Sequence, residues 1–171
     1  MFIMDVRFPI GALELPDKIT LRHIDEWLNE IEHYIEDLRA TVIDLDKDAL
    51  QKKYREGSWN VRELVHHIAD SQLNMYQRLK LALTDDNPKV VPFNQDEWIQ
   101  TKDNDLPVQI SLQLLDGLNK RIVAVGRTLK EQQINRTFSL IGEGPISVGE
   151  TIAKLSWHQS HHLAHIKIAL S

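Results

Sequence analysis

The chain has 171 residues, 42% apolar and 26% charged, with a formal net charge of −5, a globular composition long enough for one good core, so a single domain over residues 1–171 is expected. The acidic balance argues against broad nucleic-acid binding, which rests on cations neutralising phosphates. With no cysteine there is no disulfide, zinc–thiolate site or cysteine nucleophile, and a chain of this kind is expected in the cytoplasm.

The leader, "MFIMDVRFPIGALELP", lacks a charged start followed by a long apolar run, so it does not read as a signal peptide. No stretch approaches 18 apolar residues, so no membrane span is expected. The first helical segment runs from about Ile19 to about Ile43, with Ile24, Trp27, Leu28, Ile31, Ile35 and Leu38 on one face. The second opens at "SWNVRE", where Asn60 and Glu63 have capping-box spacing. It reaches about Leu83 and stops before Pro88.

A connection follows from about Thr84 to about Leu106, a length uncommon in compact domains unless the segment has a task, such as a lid or an interface. The third helix begins near Pro107, expected in the first turn, and runs to about Lys130. "NRTFSLIGEGPI" then suggests a short extended piece and a Gly-Pro turn. The fourth helix is capped by Ser147, with Glu150 again at capping-box spacing, and runs to about Leu170. Four long helices without strong strands predict an all-α four-helix bundle.

Half of the eight histidines fall in "WHQSHHLAHI", residues 157–166. A metal site, a general acid/base site and a solvated polar face all fit such crowding. At about 100° per residue, His158 and His162 lie on the shoulder of the apolar face of the fourth helix, His165 further round and His161 furthest out. On the second helix His67 lies just beside the apolar face, and Ser71, Asn74 and Arg78 continue a polar stripe from it. Two histidines one turn apart can chelate one ion. A third from a facing helix would leave a position open for water or substrate, the pattern of catalytic zinc, although imidazole also suits nickel, copper and iron. A lone histidine beside a core face is more often a satisfied structural residue, and spacing alone does not show that the two helices face each other.

Together, "YREGSWNVRELVHHIADSQLNMYQRLKLALTDDNP", "WHQSHHLAHI" and "FPIG" at Phe8 to Gly11 resemble the DinB superfamily, more closely its YfiT-type branch. The resemblance is specific at the two histidine motifs and loose in the first and third helices. It implies an up-down-down-up bundle and one divalent ion per chain, zinc or nickel, held by three histidines. Residue by residue these are His67, which precedes the Ile-Ala-Asp segment, with the pair His158 and His162. His165 stands where relatives often carry Gln, and His66 and His161 become neighbours. It also implies a metal-dependent hydrolase or a thiol S-transferase of bacillithiol type, acting on a small-molecule substrate with a low-molecular-weight thiol as a candidate cosubstrate, and a homodimer.

The catalytic group would be an activated water or a thiolate, the latter necessarily from a small molecule. Hydrolase and transferase share the same three ligands. The alternative is a non-catalytic metal- or ligand-binding bundle, and a third reading is a helical interaction module with a histidine-rich surface. Asp70 can orient a ligand or simply face solvent. Arg78 can pair with a substrate carboxylate or make a surface salt bridge. Trp59 and Trp157 read as packing residues.

Overall fold

The computed structural model describes residues 3–171. Four long helices carry the fold: α1 (Leu21–Val42), α3 (Val61–Thr84), α5 (Val108–Gly126) and α6 (Val148–Leu170). Two four-residue helices, α2 (Lys47–Leu50) and α4 (Gln95–Trp98), sit in the connections. A small sheet is built from β1 (Lys89–Val90), β2 (Thr137–Leu140) and β3 (Gly144–Ser147).

The caps form where the sequence places them. Asn60 accepts a bond from the Glu63 amide at 2.9 Å, fixing the start of α3. At the start of α6 the box closes in both directions: Ser147 Oγ accepts from Glu150 N at 3.1 Å, and Glu150 Oε2 accepts from Ser147 N at 2.8 Å. The third helix departs from expectation at both ends. Pro107 is its N-cap rather than a first-turn residue, and the helix ends at Gly126, short of Lys130. At Gly126 α5 approaches α1 closely: a Cβ there would lie 2.6 Å from Leu28 Cδ1.

Cross-helix pairs set the directions. Glu30 meets Ser156 and Asp37 meets Lys167, so α1 and α6 are parallel. Gln109 donates to Ile43 O, and Arg127 reaches Asp25, so α1 and α5 are antiparallel. His66 meets Ser111 and Gln72 meets Asn119, so α3 and α5 are parallel. The order is therefore up-down-down-up. It also explains the long connection after α3: before a parallel helix can begin, the chain must travel back the length of a 24-residue helix, about 36 Å. On its return it adds β1 parallel to β2, with Lys89 opposite Ser139. The "NRTFSLIGEGPI" stretch is an antiparallel hairpin, Thr137 opposite Ser147, that buries Phe138 and Leu140 against the core.

The interior holds two apolar clusters. One is built around Leu28, Leu79, Ile122 and Ile152, the other around Leu38, Leu64, Leu115 and Ile166. Between them the fully buried Gln72 and Gln159 and the nearly buried Asn119 make a polar layer. Gln72 Nε2 donates to Asn119 Oδ1 at 2.9 Å and to Gln159 Oε1 at 3.1 Å. Tyr34 of α1 donates its hydroxyl to Gln159 O at 2.7 Å. Buried amides of this kind are costly unless paired, so the layer favours one alignment of α3, α5 and α6.

Candidate metal centre

The antiparallel contact of α3 with α6 brings His67 beside His158 and His162. Their ring centroids are 5.2 Å and 4.8 Å from that of His67, and 4.5 Å from each other. One nitrogen from each ring falls within 4.8 Å of the other two, so the group could hold a metal ion. The Nε2 atoms of His158 and His162 are 3.1 Å apart. Two imidazoles on one ion at bonds of 2.0–2.1 Å and the tetrahedral angle place their nitrogens about 3.3 Å apart. The donor set and its spacing therefore fit such an ion.

Hydrogen bonds select the tautomer of His162. His165 Nε2 lies 3.2 Å from Arg7 O, a pure acceptor, so that nitrogen carries the proton. His165 Nδ1 is then the acceptor for His162 Nδ1–H at 3.2 Å. This leaves the lone pair of His162 on Nε2, facing His158 and His67. His161, His162 and His165 also lie close enough to hold an ion. A neutral imidazole has one lone pair, however, and the chain to Arg7 O spends that of His162 on the His158 side.

Burial keeps these rings neutral. It pushes the His67 imidazole down to about 4. His158 and His162 lie well below the ordinary histidine value, through burial first and then repulsion from neighbouring imidazoles. Neutral rings are the form that binds metals. The surroundings are aromatic: Trp59 packs on His67 with centroids 4.5 Å apart, and Tyr54 stacks on His165 at 3.9 Å. Both come from the segment before α3, tied down by Asn60 Nδ2 donating to Gln51 Oε1 and by Val61 N donating to Lys52 O.

Two cavities open beside the cluster. One, of about 370 Å³, is lined by Ser71, Arg78, Lys154, Trp157, His158 and His162, among others. The second, of about 500 Å³, includes Arg7, Tyr54, Trp59, Asp96 and His165 in its wall. His161, His162 and Gln95 line both. The long connection thus supplies Phe93 and Gln95 as cavity wall.

Several sequence expectations change here. His161, expected furthest out, is only 7% exposed. Trp157 stacks on it at 4.5 Å, and the leader lies across it, with Phe8 at 6.0 Å and Gly11 O accepting from Trp157 Nε1 at 3.2 Å. Trp59 and Trp157 do pack, but against imidazoles. Asn74, expected in the stripe from His67, turns back to donate to Asp70 O of its own helix, whereas Ser71 and Arg78 line the cavity. Ser71 Oγ is 3.3 Å from His67 Nε2. The Asp70 carboxylate makes no hydrogen bond to any histidine among the described residues; burial and then Asp103 raise it to about 6. His66 is structural: its Nε2 donates to Leu106 O at 2.8 Å, so its Nδ1 accepts from Ser111 Oγ at 2.6 Å. The aperiodic leader and Tyr54 gave no signal of their place in the site.

Comparison with known proteins gives the family of the fold. Over 168 residues the chain is 56% identical to a protein of Oceanobacillus iheyensis named "Putative metal-dependent hydrolase", covering 98% of this chain and 97% of that one. A protein of the same name from Halalkalibacterium halodurans is 43% identical over 167 residues, with 98% of each chain covered. The solved structure of YfiT from Bacillus subtilis, described as a probable metal-dependent hydrolase with an unusual four-helix bundle topology, superposes with a TM-score of 0.90 at 34% identity, covering 95% of this chain and 94% of YfiT. The profile of the DinB superfamily matches residues 30–166. By this match and these identities, the chain belongs to the DinB superfamily.

Proposed function

We propose that His67, His158 and His162 hold one divalent ion per chain, zinc or nickel, and that the protein is a metal-dependent enzyme acting on a small molecule. The observation that carries this reading is the convergence of three neutral imidazoles, His67 and His162 buried and His158 half-buried, with nitrogens of the last two 3.1 Å apart and both of those rings in the wall of a cavity large enough for a substrate. The names of the relatives support hydrolysis. Bound there, the ion supplies Lewis acidity, which activates a water or ionises a thiol. The chain supplies the orientation: His165 and the carbonyl of Arg7 hold His162 in the tautomer that presents Nε2. Trp157 and Phe93 contribute apolar wall to the cavity.

One observation favours thiol S-transfer as a second reading. No carboxylate lines the cavity of about 370 Å³ among the described residues; Asp96 lines only its neighbour. His161 lines both, but burial pushes it down to about 4, which makes it a weak base at neutral pH. A thiol, with a pKa of about 8.5 against about 15.7 for water, gives its proton to solvent near neutral pH and can displace a leaving group from an electrophilic carbon without a protein base, whereas hydrolysis usually gains more from one. The test is a screen of zinc- and nickel-loaded protein against amide and ester substrates, beside small thiols paired with carbon electrophiles. Turnover that disappears in His158→Ala supports the enzyme reading, and the productive arm of the screen separates the two chemistries. Full metal loading with no turnover in either arm supports a binding protein instead.

A further inference from the structure

Arg78 is a feature of the cavity that packing does not explain. The residue is 9% exposed, a depth at which a cation ordinarily has a carboxylate or several carbonyls around it. Among the described residues it has no salt bridge and no side-chain hydrogen bond. The acidic residue that acts on it, Glu143 in the β2–β3 turn, forms neither with it. Two more exposed arginines are paired by contrast: Arg136 donates to Ala82 O at 2.8 Å and Asp85 O at 2.7 Å, and Arg127 reaches Asp25, Asn29 and Glu32. Arg78 instead lines the cavity that holds His158 and His162, with Lys154 on the α6 side.

We propose that Arg78 is the recognition group for a carboxylate on the substrate, so that the cavity takes an anionic small molecule with its reacting group at the His67–His158–His162 end and its carboxylate at the Arg78 end. This rests on the metal-enzyme reading for the reacting end only. A guanidinium offers a planar fork of donors that a carboxylate fills with two parallel bonds. On α3, Arg78 stands eleven residues past His67, about 16 Å along the axis, and helical side chains lean toward the N-terminus, which tips its head back toward the histidines and shortens that span. The spacing suits an extended molecule of several bonds, and among the described residues no Asp or Glu lines the cavity beside the Arg78 and Lys154 cations. The guanidinium nitrogens keep contact with solvent, and a carboxylate that replaces this water gives the cation the charged partner that no described residue supplies.

The test uses a matched pair of probes, succinic acid monohydroxamate and its terminal amide, with the adipic pair to vary the span. The hydroxamate end anchors on zinc, and the other end differs only in charge. Affinities are measured by calorimetry on zinc-loaded protein, and with glutarate against glutaramate on chelator-treated protein. For the wild type, the acid of at least one pair should bind about tenfold tighter than the amide, the value of a hydrogen bond to a charged group. Arg78→Gln should reduce that preference to less than about twofold, and Arg78→Lys should keep part of it. A second readout does not depend on ligand: Arg78→Met should raise the melting temperature, because it removes a partly desolvated charge that has no partner among the described residues. No preference in the wild type, an equal preference in Arg78→Gln, or a lower melting temperature in Arg78→Met would overturn the proposal. Failure to bind zinc would count against the metal reading alone, since the glutarate arm still tests Arg78.

Discussion

His162 Nδ1 and His165 Nδ1 lie 3.2 Å apart, and the far nitrogen of His165 is bonded to the carbonyl of Arg7. Through this chain, a loop at the start of the sequence fixes which nitrogen of His162 is free to face His67 and His158. His165→Phe should therefore weaken metal affinity by about 10- to 100-fold without changing which residues bind, the usual cost of losing the partner that orients a ligand. A competition titration with a zinc chelator measures this. Unchanged affinity would mean that His162 is oriented by something else.

Acid should act on the fold and the ion together. Histidine titrates near ~6.5 in an unfolded chain, whereas burial holds His67 and His161 at about 4 and depresses His66, His158, His162 and His165. The folded values lie below the unfolded ones, so the unfolded chain binds more protons in this window. The stability these rings contribute is complete above about pH 6.5 and is lost as pH falls toward 4. An exposed three-histidine site would release its ion between about pH 6 and 5; this buried one should retain it to lower pH. Metal release and helical circular dichroism, followed from pH 7 to 3.5, should change together below pH 5. Complete release by pH 6 from an intact bundle would contradict this.

Asp70 has the opposite sign to the usual carboxylate. Burial and Asp103 raise it to about 6, above its unfolded value near ~3.9. The folded state holds the extra proton, so stability is greatest below the unfolded pKa and is lost as pH rises through 6. Asp70→Asn should therefore be more stable than wild type at pH 7.5 and equal to it below pH 4. Urea midpoints at the two pH values decide the matter. A loss of stability at pH 7.5 would show that the charged carboxylate has a favourable partner.

At Gly126 the constraint is steric. An added Cβ would sit 2.6 Å from both Leu28 Cδ1 and Leu28 Cδ2, so Gly126→Ala should cost about 1–3 kcal/mol of overpacking, well beyond the helix propensity alanine adds. Double substitution with Leu28→Ala should recover part of the loss. Chemical denaturation of the single and double variants measures it.

The four helices were legible because their signals are local. The periodic apolar faces and the caps at Asn60 and Ser147 predicted α3 and α6 to within a residue or two. The pairing of His158 with His162 follows from helix geometry, but its meeting with His67 depends on α3 and α6 packing antiparallel, which no local pattern encodes. The burial of His161 was invisible because its cover comes from the leader, which has no periodicity to read. Asn74 and Arg78 occupy the same stripe, and only side-chain torsions send one to the Asp70 carbonyl and the other to the cavity wall. The length of the connection after α3 suggested a task, whereas the parallel direction of α5 already requires it.

The central claim is that His67, His158 and His162 hold one ion. The direct measurement is elemental analysis of the purified, untagged protein and its single alanine variants, each checked for helical content. About one zinc or nickel per chain is expected for the wild type and for His161→Ala, with a sharp fall in His67→Ala, His158→Ala and His162→Ala. Stoichiometric metal in folded His158→Ala, or none in the wild type after incubation with either ion, would contradict the account.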